Sequence, residues 1–183
     1  MIPFERADGG GITASFTSPE ASLISSLAAQ VASMLDTYAA PPQIDDVDAA
    51  ALYASVGLGG SSRLSDDPAI ARLLPDAYAD AEASADFRGL TERSLASRKV
   101  ANARIVVQTL SAADDTAGEV TLADSEAQAW LRTLADVRLT IAARLGIEHD
   151  GDEGADDEAS LVLRDVYDWL AWVTESLIDA IES

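Results

Sequence analysis

The sequence contains no cysteine. Disulfides, thiolate nucleophiles and cysteine-bound zinc are therefore excluded. It contains a single histidine, His149, which alone cannot build a histidine-based metal site. Lysine is almost as scarce: Lys99 is the only one, beside eleven arginines, and 12 basic residues face 32 acidic ones for a formal net charge of −20. A nucleic-acid backbone would repel such a chain, and no basic stripe offsets the deficit, so nucleic acid is not an expected partner. No stretch approaches the ~18 uninterrupted apolar residues of a membrane span. The opening MIPFERADGGG lacks the basic start and apolar run of a secretory signal. The expected location is the cytoplasm, with no membrane partner.

What is present suits a helical protein. Hydrophobic residues make up 48% of the 183 positions and aromatics only 5%, with alanine supplying much of the first figure. Alanine is the best helix former and lets backbones approach closely. The length predicts one domain, residues 1–183, large enough to bury a core without a metal or disulfide staple. The expected fold is mainly α: a compact bundle of about six helices with a small N-terminal β-hairpin. Phe4 to Arg6, the glycine turn at 9–11 and the alternation of Ile12, Ala14 and Phe16 predict that hairpin. Residues 119–122 are a candidate third strand. Thr17-Ser18-Pro19-Glu20 has the form of a capping box opening a first helix that Pro41-Pro42 ends. A short helix is expected over 46–56. Asp67-Pro68 opens another, interrupted at Pro75. Longer helices are expected over 86–112, from Asp124 as cap to Gly146, and over 157–181. In the helix ending at Gly146, Trp130, Leu134, Val137, Ile141 and Leu145 form an unbroken apolar stripe, widened by Leu131, Leu139 and Ala142.

Several segments, in order and spacing, resemble a known family. They are DPAIARLLPDAY at 67–78, DFRGLTE at 86–92, AWLRTLADVRL at 129–139, RLGI at 144–147 and YDWLAWVTESL at 167–177. Together they resemble the actinobacterial domain-of-unknown-function family numbered two-zero-one-seven, over nearly the whole chain. The resemblance implies a bacterial cytoplasmic protein and no particular reaction. Genes of that family often lie beside the gene of the Clp protease adaptor ClpS, and some members carry a transcriptional-regulator label. The family more often has Asn before the Asp of its central helix, where this chain has Ala135.

Four groups of residues are candidate sites. Asp150, Asp152 and Asp156 lie in an acidic loop at 149–158 and could offer oxygens to a cation. Their glycines, at 151 and 154, do not fit the order of an EF-hand, so a solvated loop is the expectation and no metal site is assigned. The glycines at 9–11 and 57–60 lack the ending of a phosphate loop and read as turns. Arg138 projects from within the apolar arc of its helix, which predicts a structural ion pair with Asp165 or Asp168; an anion site is the alternative. On the last helix, Asp165, Asp168, Glu175 and Asp179 fall within about 60° of Trp172 on the helical wheel. An accessible Trp ringed by charge resembles the anchor of a protein interface. A cover from the same chain is the alternative.

No catalytic residue and no cofactor is predicted. The expected function is a non-enzymatic protein-binding or regulatory module, with a link to Clp-dependent proteolysis implied by the resemblance. A carboxylate-based metal-binding protein or enzyme is the alternative, and a transcriptional regulator a weaker one. The partner is an unidentified protein, and a homo-oligomer stays open.

Overall fold

The structure, a computed structural model, describes residues 1–39, 66–75, 85–113, 118–149, 152 and 154–183. The helix expected over 46–56, its flanking Pro41-Pro42 and the glycines at 57–60 lie outside the described residues. Three strands, β1 (Ile2–Arg6), β2 (Ile12–Ser15) and β3 (Glu119–Leu122), form an antiparallel sheet in the order β1-β2-β3. Among the described residues there are five helices: α1 (Ser18–Ala39), α2 (Pro68–Leu73), α3 (Ala85–Ala113), α4 (Asp124–Leu145) and α5 (Glu158–Glu182). The fold is thus mainly α with a small sheet, and the candidate third strand is real.

The ends of the elements follow local chemistry. The Glu20 carboxylate accepts from Thr17 N and Thr17 Oγ1, both at 2.8 Å, so the carboxylate half of the expected box holds the start of α1 while the hydroxyl donates to that carboxylate. Asp67 Oδ1 accepts from Ala69 N at 2.8 Å, and Pro68 occupies the first turn of α2, where its missing N–H costs nothing. The helix stops at Leu73, just before Pro75. Asp124 does not cap α4. It lies inside the first turn, and the cap position belongs to Ala123, whose N–H is accepted by Glu126 at 2.8 Å. Alanine has no side-chain acceptor, so Glu126 supplies only half of a capping box. Gly146 ends α4 at φ 70, the left-handed conformation that favours glycine.

One face of the sheet is buried through Phe4, Ile12, Ala14, Val120 and Leu122. It packs on α4, whose predicted stripe from Trp130 to Leu145 is buried at every position. Trp130 stacks on Phe16 at 5.8 Å and meets Phe4 edge-on at 5.5 Å. α1 lies along α3, α3 and α5 flank α4, and α5 also packs on β1. Leu131 is half-buried, but Leu139 is 41% exposed and does not widen the core arc. It sits two positions after Val137, on the side of α4 turned away from both flanking helices. Arg6 closes the assembly: its guanidinium donates to the Ala180 and Ile181 carbonyls of α5, both at 3.1 Å, and to Asp124 of α4 at 3.3 Å. These contacts satisfy carbonyls that the last turn of a helix leaves without partners.

Candidate functional site

α5 begins at Asp157, whose carboxylate accepts from Ala159 N and Ser160 N. Leu170, Val173 and Leu177 are buried, with Val166, Trp169 and Ile181 half-buried beside them. Val162, expected in the same arc, is instead 62% exposed: it falls about 80° from Trp172 on the wheel, towards the solvent side, while its neighbour Leu163 packs against the core. On the opposite side Trp172 is 43% exposed, and Asp165, Asp168, Glu175 and Asp179 are all exposed. The helix therefore brings the five predicted residues to one solvent-facing surface. Leu161, 49% exposed, falls within about 20° of Trp172 on the wheel and extends the apolar part of that surface. Five of the six side chains were singled out by periodicity alone. Leu161 was missed because it precedes the stretch in which the acidic spacing is regular.

Arg138 has a different neighbour from the one predicted. Its guanidinium carbon lies 4.7 Å from the centre of the Tyr167 ring, and neither Asp165 nor Asp168 pairs with it among the described residues. Residue 168 is one position beyond Tyr167, and the 100° turn between successive helical positions directs the ring to α4 and the carboxylate to solvent. Arg138 Nε is buried without a hydrogen-bond partner. The contact is a cation–π pair rather than an ion pair.

The acidic loop is tied down in part. Asp152 accepts from His149 N at 2.8 Å and Glu148 N at 2.9 Å, which together hold its carboxyl below the ordinary range. Ala155 N donates to Leu145 O at 2.9 Å, and an Ala155 carbonyl contact from Arg164 fixes the far side. Gly154, at φ 66, makes that approach, since a Cβ there would lie 2.7 Å from Leu145 O. Asp152 thus commits Oδ2 to two backbone N–H groups, Asp156 is exposed, and Asp150 lies outside the described residues. Among the described residues no three His, Asp or Glu side chains gather as a metal site.

A second surface was not foreseen. α3 and α4 enclose a cleft of about 540 Å³ lined by Leu95, Arg98, Lys99 and Asn102 from α3 and by Arg132 and Asp136 from α4, among others. The spacing i, i+3, i+4, i+7 places the α3 residues on one stripe, and i, i+4 does the same on α4. Asp136 is buried and accepts from Lys99 Nζ in an ion pair. Burial pushes the Asp136 carboxyl above its ordinary range, and the Lys99 ammonium pulls it part of the way back. The sequence did carry a signal for this pair: the sole lysine lies beside the packing positions of α3, three after Ala96 and four before Ala103, and a half-buried lysine favours a carboxylate partner.

Residues 1–181 match the family described as domain of unknown function DUF2017, and the chain belongs to that family. Over 186 residues it is 27% identical to the oxidative stress regulator AosR of Mycobacterium tuberculosis H37Rv, covering 95% of this chain and 84% of that protein. The AosR of Mycobacterium bovis is similar to the same degree. A putative oxidative stress regulator AosR of Mycobacterium leprae is 26% identical over 192 residues, with 97% and 85% covered. No solved structure matches the chain. Among the described residues no helix is long and apolar enough to cross a membrane.

Proposed function

We propose that this chain is a regulatory module that acts by binding another protein through the exposed face of α5. The observation that carries the reading is Trp172, 43% exposed among Asp165, Asp168, Glu175 and Asp179. A large aromatic held in solvent by a well-packed helix has no use in the core, and aromatic anchors ringed by polar groups are what interfaces concentrate. The acids choose the partner: a basic surface with a pocket for an indole. A second copy meeting the same face would set like charges against one another. The similarity to relatives named oxidative stress regulators supports a regulatory role. These 183 residues contain no thiol, so a response to oxidant would reach them through a partner and not through a cysteine of their own. A finer version of the proposal makes that partner a component of Clp-dependent proteolysis, in keeping with the gene order of the family.

The test compares the purified wild-type chain with Trp172→Ala and with Asp168→Asn/Glu175→Gln as baits, each verified for an unchanged melting temperature. A protein held by the wild type and lost by both variants supports the reading. Identical sets recovered by all three baits overturn it. A Clp component in the difference set supports the finer version, and a difference set without one removes that version alone.

A further inference from the structure

The geometry points to a second binding site, in the α3–α4 cleft, for a small organic phosphate monoester. The site stands apart from the α5 face and does not rest on the reading proposed for it. The argument begins with pairing. Arg6, Arg104 and Arg144 each meet an aspartate, and Arg72 and Arg164 donate to backbone carbonyls. In a chain with 32 acids and 12 bases, a cation on the surface should find a carboxylate easily. Arg98 and Arg132 do not: both are exposed on the cleft, and neither has an ion-pair partner among the described residues. Lys99 stands between them, already bound to Asp136. Three cations against one carboxylate leave two positive charges in excess in this cleft of an acidic molecule.

That excess selects the ligand. A phosphate monoester carries nearly two negative charges at neutral pH, and guanidinium forks match its oxygens in pairs. A carboxylate would leave one charge unanswered. The Asn102 side chain adds an amide that can donate to a phosphate oxygen or accept from a ligand hydroxyl. Leu95 supplies an apolar wall, and about 540 Å³ is room for an organic group beyond the phosphate. Lys99 has a positioning role. Its ammonium is neutralised by Asp136, so it fixes the stripe that carries Arg98 instead of contributing free charge.

Phenyl phosphate, inorganic phosphate, benzoate and hexaglutamate serve as probes, each titrated into the isotopically labelled full chain at low, matched ionic strength and followed by amide NMR. The expected result is a saturable response to phenyl phosphate confined to residues 92–103 and 129–139, tighter than for inorganic phosphate and much tighter than for benzoate. Arg98→Gln/Arg132→Gln, both at exposed positions, should keep the fold and weaken phenyl phosphate at least about tenfold. Added salt should weaken binding as well. The site is refuted if the response spreads over unrelated surfaces, if sodium chloride alone reproduces it, or if the double variant binds as the wild type does. Benzoate binding equal to phenyl phosphate refutes the choice of a dianion. Hexaglutamate binding more tightly than phenyl phosphate makes the occupant an acidic peptide and overturns the proposal.

Discussion

Trp130 Nε1 donates to Thr109 Oγ1 at 2.8 Å, and that hydroxyl itself reaches back to the carbonyls of Ile105 and Val106 at 3.0 Å. The indole is fully buried between the sheet and α3, so its one polar atom has no route to water. Thr109→Val keeps the volume and removes the acceptor. It should cost about 1–3 kcal/mol, while Thr109→Ser, which keeps it, should cost less than about 1 kcal/mol. Denaturant unfolding of the two variants decides between a hydrogen-bond and a packing role.

The turn before β3 should be far less tolerant than the turn before β2. Gly118 and Gly10 have nearly the same backbone, φ 85 and φ 87, but a Cβ at 118 would lie 2.2 Å from Phe16 O whereas one at 10 meets nothing within 4 Å. Gly10→Ala should lose about 1 kcal/mol to the left-handed conformation alone. Gly118→Ala should lose roughly 2–4 kcal/mol, because the Phe16–Gly118 approach must open as well. Thermal unfolding of both variants reads the difference directly.

Two carboxylates should give stability opposite dependences on pH. The side-chain hydrogen bond from Arg144 holds Asp67 below its ordinary value of 3.8, so its contribution is complete above that value and is lost as pH falls through the folded pKa. Asp67→Asn should flatten the acid limb of the stability profile. Asp136, raised above 3.8 chiefly by burial, holds its proton more tightly folded than unfolded. Its ionisation therefore lowers stability as pH rises from 3.8 through the folded pKa. Lys99→Met should move the Asp136 pKa higher still, as read by carboxyl carbon shifts.

Arg138 should prove replaceable where Tyr167 is not. The guanidinium leaves one buried nitrogen unsatisfied and gains a cation–π contact, and these partly cancel. Arg138→Met retains contact with the ring through sulfur and should change stability by less than about 1 kcal/mol in either direction. Tyr167→Ala removes a half-buried ring and should cost about 2 kcal/mol. An Arg138→Met loss as large as that of Tyr167→Ala would show that the charge on the ring, and not packing alone, holds the two helices there.

These cases mark what periodicity can read. The α4 stripe, the box at Thr17–Glu20, the glycine stop at 146 and the solvent face of Trp172 all depend on residues within a few positions of one another, so spacing reveals them. The partner of Arg138 depends on which way a neighbouring helix is rotated, and a shift of one residue exchanges Asp168 for Tyr167. The Lys99–Asp136 cleft joins residues 37 positions apart on two helices. Its parts look like ordinary polar positions until α3 and α4 are laid side by side. Leu139 misled because an apolar residue beside an apolar stripe reads as core, although most protein surfaces retain such residues.

The Arg6 clamp has a consequence for the order of events during synthesis. Its carbonyl acceptors on α5 lie 174 and 175 positions later in the chain. β1 leaves the ribosome long before the helix that covers it and α4. From its own synthesis until α5 forms, each apolar side of β1 and α4 that awaits α5 is bare, and the nascent chain is a natural client for chaperones until residue 181 emerges. Translation pauses ahead of α5 should therefore lower the yield of native protein more than pauses behind it.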